Sequence, residues 1–146
     1  MRRQVHRLIL VTASTMFLST ALADGDPAHE RHELMEGVRD AAKPLGEMLQ
    51  GKAEYDQATA MASLQTFADA GEKLGSLVPE GSQGGEAAPA IWEDPDGFAE
   101  KIAKWQEATA AAIAAAPGSL EEAKPILGAV LQNCKGCHDS YRIEDE

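Results

Sequence analysis

The stretch SLEEAKPILGAVLQNCKGCHDSY, residues 119–141, combines a helical pattern with a five-residue motif near its end. That motif is Cys134-Lys135-Gly136-Cys137-His138, and C-x-x-C-H is the attachment signature of c-type haem. Two thiols three residues apart lie on one side of a helical turn, so both can add to the vinyl groups along one porphyrin edge. The histidine lies one turn after the first cysteine and can direct its imidazole to the iron. The motif therefore predicts one covalently attached haem c.

The two cysteines also admit other interpretations. They are the only cysteines among 146 residues, so a surface disulfide or a thiol redox pair is an alternative. A thioredoxin-like dithiol would need a βαβ context, which the sequence lacks. A Cys2His2 zinc site with His29 and His32 has suitable donors. It would leave His138 unexplained and would require two distant helices to converge.

The helix that carries the motif begins at Ser119, whose spacing from Glu122 has the form of a capping box. Its apolar residues recur at steps of three and four, as in an amphipathic helix: Leu120, Ala123, Leu127, Val130, Leu131, Cys134, Cys137 and Tyr141. Pro125 is expected to distort its first turns. Because the cysteines share this apolar face, we expect the haem to face the interior of the fold.

Three more amphipathic patterns precede this helix. The first begins at Asp26-Pro27, a capping residue followed by a proline that suits the first helical position, and ends near Gly51. Pro44 interrupts it and predicts a kink, since proline removes one helical hydrogen bond. The apolar positions of this first pattern are Leu34, Val38, Ala41, Leu45, Met48 and Leu49.

The second and third patterns flank a long connection. The second runs from Ala60 to Val78, and the third runs from the Asp94-Pro95 start signal through Phe98 to Ala116. Residues 79–95 are rich in proline and glycine and show no period, so they predict a loop whose apolar residues Ile91 and Trp92 pack back onto the helices. No stretch alternates convincingly with period two. The sequence predicts an all-α, antiparallel four-helix bundle with covalently bound haem.

Residues 1–23 have the pattern of a secretory signal peptide. Three arginines precede a mainly apolar segment at 8–18, and Ala21-Leu22-Ala23 forms an A-x-A cleavage site. A membrane anchor is the alternative, but the apolar segment is short of the roughly 20 residues needed to span a bilayer. We expect cleavage after Ala23, a domain at 24–146, a periplasmic location and no stable membrane insertion afterwards.

The predicted domain is strongly acidic. Residues 24–146 contain 10 Lys and Arg against 24 Asp and Glu, giving a net charge of −14. This balance excludes nucleic acid and anionic membrane surfaces as natural partners. It favours redox partner proteins with basic surfaces.

The helix pattern, the haem motif on the last helix and the loop followed by Ala90-Ile91-Trp92 and Phe98 together resemble the cytochrome c′ family, the class II c-type cytochromes. The resemblance covers essentially all of residues 24–146. Its most specific parts are the C-x-x-C-H motif with Tyr141-Arg142 after it, and Arg31-x-x-x-Met35 in the first helix. Class I cytochromes c have the motif near the N-terminus, the reverse of the order seen here.

The resemblance implies a role for each matching residue. Cys134 and Cys137 would carry the thioether bonds, and His138 would be the proximal iron ligand. Arg142 matches a basic residue beside the proximal histidine, and Arg31 matches an arginine near a haem propionate. Met35 falls at the position that faces the distal side of the iron.

The ligand at the sixth iron position decides between two functions. If Met35 ligates, the iron is six-coordinate and low-spin, and the protein is an electron carrier with Met/His ligation, which raises the potential. If Met35 does not ligate, a five-coordinate haem binds nitric oxide or carbon monoxide in a gas-binding or protective role. His32, one turn from Met35, is another candidate ligand.

The resemblance implies electron carriage in the periplasm as the function, with a homodimer as its expected assembly. A peroxidase would want distal groups poised for proton transfer, for which only His32 is available. We therefore do not expect an enzyme.

Overall fold

The computed structural model describes residues 25–143, and the predicted signal peptide at 1–23 lies outside them. In chain order the elements are α1 (Pro27–Leu49), α2 (Gln57–Leu74), a 3₁₀ turn (Gly75–Leu77), α3 (Ala90–Glu93), α4 (Pro95–Ala115) and α5 (Leu120–Tyr141). The four long helices match the four sequence patterns. The prediction of an all-α four-helix bundle is confirmed.

The long helices pack in a ring, in which α1 contacts α2 and α5, and α4 also contacts α2 and α5. Short connections join α1 to α2 and α4 to α5, which makes each of these pairs antiparallel neighbours. The long connection at residues 75–94 joins α2 to α4. The N-terminal halves of α1 and α4 therefore lie at the same end of the bundle as the C-terminal ends of α2 and α5.

Three helices begin at the capping residues that the sequence predicted, Asp26, Asp94 and Ser119. Asp26 Oδ1 accepts a hydrogen bond from the Ala28 amide at 3.0 Å, and Asp94 caps α4 in the same manner. Ser119 Oγ accepts from the Glu122 amide at 3.3 Å. The capping box is displaced by one residue, because the Glu122 carboxylate accepts from the Gly118 amide at 2.8 Å rather than from that of Ser119.

The end of α1 is a Schellman motif centred on Gly51. Gly51 has φ +71°, and its amide donates to the Met48 carbonyl at 3.1 Å. The next amide, that of Lys52, donates to the Glu47 carbonyl at 2.8 Å. Before this end, α1 continues without a break through Pro44.

Three boundaries differ from the sequence prediction. The connection predicted as aperiodic contains α3, a single turn that Pro89 starts with helical backbone angles. Ala116, predicted on the apolar face of α4, is instead its exposed C-cap with φ +41°, since Pro117 disfavours a helical conformation in the residue before it. Val78 lies beyond α2, which tightens into the 3₁₀ turn after Leu74.

Two apolar clusters form the interior. The larger contains the fully buried side chains Leu45, Leu64, Phe67, Leu127 and Val130. The smaller lies around Leu74, Ile91, Phe98, Ile102 and Tyr141, and it includes Met35 and Cys137 among its partly buried members. The expected packing of Ile91 and Trp92 onto the helices is therefore observed. Within residues 25–143, no helix has both the length and the apolarity needed to cross a bilayer.

Two glycine-to-alanine substitutions are expected to change the stability in opposite directions. Gly51→Ala should lower the free energy of unfolding by about 1 kcal/mol, because a left-handed conformation strains any residue with a Cβ. Gly37→Ala lies in α1 with no atom within 4 Å of the new methyl group and should raise that free energy by about 0.5–1 kcal/mol. Denaturant titration followed by circular dichroism measures both. Equal shifts of the same sign would contradict the assigned end of α1.

Candidate functional site

A cavity of about 380 Å³ lies at the end of the bundle that contains the smaller apolar cluster, the one around Phe98 and Ile102. This volume falls within the range of cofactor pockets, about 300–1,000 Å³. Its wall is largely apolar and comes from all four long helices and from the loop at residues 84–87. The apolar side chains on it are Met35, Val38, Leu74, Ile91, Phe98, Ile102 and Trp105.

The cavity brings together every site residue that the sequence predicted. From α1 come Arg31 and Met35, and from the C-terminal end of α5 come Cys134, Cys137 and His138, with Arg142 directly after the helix. These two groups are about a hundred residues apart in sequence. Their positions on one cavity wall follow from the pairing of the start of α1 with the end of α5.

The two thiols are free and partly buried, with no disulfide between them. Burial raises the pKa of the Cys134 thiol. Burial also raises the pKa of the Cys137 thiol, against the opposing charge of Lys101. Reactive redox cysteines instead have lowered pKa values, so this environment disfavours a dithiol function.

The zinc alternative finds no support in the described residues. His29 and His32 are exposed side chains of α1, and they lie near Glu33 and Glu36 at 3.3 and 3.9 Å. Between residues 25 and 143, no group of three or more His, Cys, Asp or Glu side chains is arranged to hold a metal ion.

The environment of His138 favours the neutral form of its imidazole. Burial lowers the pKa of His138, and the charge of Arg142 lowers it further, while Glu86 and Asp139 act in the opposite direction. A neutral imidazole has a free lone pair on one ring nitrogen and can therefore bind a metal. The basic residue predicted beside His138 thus has an electrostatic effect on it.

Met35 is partly buried on the cavity wall and packs against the smaller apolar cluster. Its thioether is the softest donor that α1 contributes to the cavity. His32 also lines the cavity, but its side chain is 56% exposed.

Arg31 is buried, with 6% of its surface exposed, and its guanidinium contacts the loop after α2. Nη1 donates to the Leu77 carbonyl at 2.6 Å and to Ser82 Oγ at 3.2 Å. Nη2 donates to the carbonyls of Ser82 at 2.8 Å and Gly84 at 3.3 Å. Burial lowers the pKa of Arg31 while Asp26 raises it, and the guanidinium stays charged. Both terminal nitrogens of the guanidinium therefore already donate to two acceptors each. Its Nε–H is left for the propionate contact that the family resemblance implies.

The end of α5 is held by Tyr141. Its hydroxyl donates to Asp94 Oδ2 at 3.0 Å, and its ring packs edge-on against Phe98 with 5.2 Å between centroids. Asp94 Oδ1 simultaneously accepts from the Gly97 amide at 3.1 Å. One carboxylate therefore caps α4 and joins it to the helix that carries Cys137 and His138.

The charges of the cavity wall suit a ligand with carboxylates. Four of the ten Lys and Arg residues in the domain lie on the wall, namely Arg31, Arg39, Lys101 and Arg142. Of the 20 acidic residues between positions 25 and 143, only Glu36 and Glu86 do. In addition, the Trp105 indole N–H is buried without a hydrogen-bond partner among the described residues. An apolar wall, cations for two propionates and sulfur and nitrogen donors together fit haem c.

Comparison with known proteins agrees with this geometry. The family model described as Cytochrome C′ matches residues 26–142. The chain belongs to the cytochrome c′ family. Cytochrome c′ of Rhodopseudomonas palustris is 40% identical over 130 residues, which cover 85% of this chain and 86% of that protein. The cofactor of this chain is accordingly covalent haem c, as in the family to which it belongs.

Solved structures of relatives share the fold. The structure of Rhodopseudomonas palustris cytochrome c′ has a TM-score of 0.80 at 36% identity and covers 84% of this chain and 100% of its own. A nitric oxide complex of a variant of Alcaligenes xylosoxidans cytochrome c prime has a TM-score of 0.75 at 27% identity, covering 82% of this chain and 95% of its own.

Sequence reasoning missed several residues of this site. Lys101 is predicted by no motif, because its approach to Cys137 depends on how α4 packs against α5. The loop at 84–87 was expected only as a connection. The Tyr141–Asp94 hydrogen bond joins residues 47 positions apart. The sequence predicts Asp94 as the start of a helix but gives no sign of its contact with Tyr141.

The double role of Asp94 leads to a test of stability. Asp94→Ala should lower the free energy of unfolding by about 1–3 kcal/mol, since it removes a helix cap and a hydrogen bond to a charged group. Asp56→Ala is the matched control, because the Asp56 carboxylate caps α2 through Thr59 of that same helix and does not join it to another long helix. Denaturant titration should show the larger loss for Asp94→Ala. Equal losses would mean that the Tyr141 contact contributes nothing.

Proposed function

We propose that this protein carries single electrons in the periplasm, through a haem bound to Cys134 and Cys137 with His138 and Met35 as axial ligands. The observation that carries the proposal is that Met35 on α1 and the His138 end of α5 line one cavity. Haem c supplies a one-electron couple between ferric and ferrous iron. The chain supplies the anchor, the two ligands and the surrounding charges.

Each residue would contribute a distinct property. Both cysteines lie on the cavity wall of α5 and would fix one porphyrin edge to that helix. His138 is held neutral by burial and by Arg142, the state that an iron ligand requires. The Met35 thioether is a soft donor, and Met/His ligation raises the potential. Ligands held on two packed helices need little rearrangement between oxidation states.

The surroundings support exchange with other proteins. The acidic surface of residues 24–146 would steer basic partners and make association rates depend on salt. The signal-like residues 1–23 support a periplasmic location. A homodimer is part of the proposal through the family resemblance alone.

A second candidate function is the binding of a small gas by a five-coordinate haem. It is favoured by the nitric oxide complexes of two variants of Alcaligenes xylosoxidans cytochrome c prime. In this case Met35 would line the distal side without a bond to iron. The apolar side chains beside it, including Phe98 and Ile91, would suit an uncharged diatomic ligand.

Covalent attachment can be tested by substitution of the two cysteines. The protein produced in cells with a haem-attachment system should keep its haem under denaturing conditions. Cys134→Ala/Cys137→Ala should lose it completely, because no other cysteine is present. Haem staining after denaturing electrophoresis measures this. Haem that stays bound to the double variant, or that is absent from the wild type, would refute the attachment site.

The sixth ligand can be tested by Met35→Leu, which keeps an apolar side chain but removes the sulfur. If Met35 ligates, absorption spectra should change from low-spin to high-spin, and reduced protein should bind carbon monoxide far more readily. Met61→Leu is the matched control, since Met61 packs against the larger apolar cluster and is not among the residues that line the cavity. A wild type that is already high-spin and unaffected by Met35→Leu would establish the gas-binding alternative. A low-spin spectrum that survives in Met35→Leu would identify another ligand, with His32 the first candidate.

A further inference from the structure

Arg31 is a buried cation whose hydrogen bonds go to neutral groups. All four of its observed acceptors lie between Leu77 and Gly84, and three of them are backbone carbonyls. No salt bridge to Arg31 is found among residues 25–143. A buried charge needs such bonds to offset its desolvation, so α1 and this loop depend on each other at this point.

The same loop has a second contact with the guanidinium. The Arg31 guanidinium carbon lies 5.4 Å from the centre of the Trp92 ring, within the range of a cation–π interaction. The Trp92 indole N–H donates to the Pro79 carbonyl at 3.1 Å. Arg31 and Trp92 together hold the start of the loop against α1.

The far end of the loop is held by α5. The Ala88 amide donates to the Tyr141 carbonyl at 3.0 Å, and the Ile143 amide donates to the Glu86 carbonyl at 2.8 Å. Residues 82–88, here called the strap, thus run from the Arg31 contact to the residues that follow the haem motif. Residues 84–87 of the strap line the cavity.

We propose that Arg31 is a positioning residue that keeps the strap closed over the cavity and thereby limits the access of small ligands and solvent to the haem. The proposal rests on haem binding in this cavity, as proposed above. Arg31 lies one helical turn before Met35, so the strap is anchored on the side of the cavity where the sixth ligand position is proposed. Loss of the guanidinium would leave the carbonyls of Leu77, Ser82 and Gly84 without this partner.

The forked shape of the guanidinium is central to this role. Its two terminal nitrogens each bind two acceptors that lie at different points of the loop. A lysine ammonium keeps the charge but offers all its donors at one atom. Lysine should therefore fail to hold the strap, whereas it would preserve a purely electrostatic effect on a propionate.

The test compares haem-loaded protein carrying Arg31→Lys, Arg31→Gln or Lys43→Gln. Lys43 is the matched control, since it is an exposed cation of α1 outside the lining of the cavity. Hydrogen–deuterium exchange of peptides covering residues 79–90 should be severalfold faster in both Arg31 variants and unchanged in Lys43→Gln. Circular dichroism identifies any variant that has lost its fold.

Access to the haem is measured in the same variants by the rate of carbon monoxide association with reduced protein. The series is made in a Met35→Leu background, so that no methionine competes for the sixth position. Both Arg31 variants should bind carbon monoxide severalfold faster than the Met35→Leu parent and the Lys43→Gln control. Association rates equal to those of the Met35→Leu parent in Arg31→Lys, together with altered rates in Arg31→Gln, would overturn the proposal in favour of a charge effect.

Trp92→Phe provides a variant that leaves Arg31 in place. It removes the hydrogen bond to the Pro79 carbonyl and should accelerate strap exchange in the same direction. Unchanged exchange in every folded variant would also overturn the proposal. A wild type without haem would refute the proposed function instead, and the exchange measurement would still report on Arg31.

Discussion

The alternating direction of the four long helices is the constraint on which the site depends. It places the start of α1, the end of α2, the start of α4 and the end of α5 at one end of the bundle. Large apolar side chains such as Phe67, Leu64 and Leu127 fill the interior elsewhere. At the shared end the side chains line a cavity instead, and residues as distant in sequence as Arg31 and Arg142 lie on one wall. A domain this small buries a limited apolar surface by itself, and an apolar cofactor would add to that buried surface.

The distribution of charge separates the cavity from the remaining surface. The domain has many more acids than bases, yet four of its ten bases lie on the cavity wall. Cations there would offset the charges of two propionates, while the acidic exterior would act over longer distances on approaching proteins. Local and overall charge would therefore act on different partners, the cofactor in one case and proteins in the other.

The sequence predicts the helices well because their signals are local. Asp26, Asp94 and Ser119 cap the helices that their positions predicted, and the apolar period assigns the buried faces correctly. The short helix α3 was not predicted, because a single turn has too few residues to show the helical period of apolar side chains. The motif and the family resemblance supplied all six candidate site residues. The contacts of Arg31 and Tyr141 could not be predicted, because each joins residues more than 45 positions apart and depends on how the helices pack.

The two faces of the proposed haem site differ in how they are built. One helix, α5, carries both cysteines and His138, so the spacing of a single helical turn sets the geometry on that side. Helix α1 lies on the opposite side, and the strap, which is joined to α1 through the guanidinium of Arg31, runs from there to Tyr141 at the end of α5. Since Arg31 and Met35 lie one turn apart on α1, any shift of that helix moves the candidate ligand and the strap anchor together. In a haem bound as proposed, ligation by Met35 and access past the strap would therefore be coupled through α1, and the choice between electron transfer and gas binding would depend on the packing of this helix rather than on the haem motif.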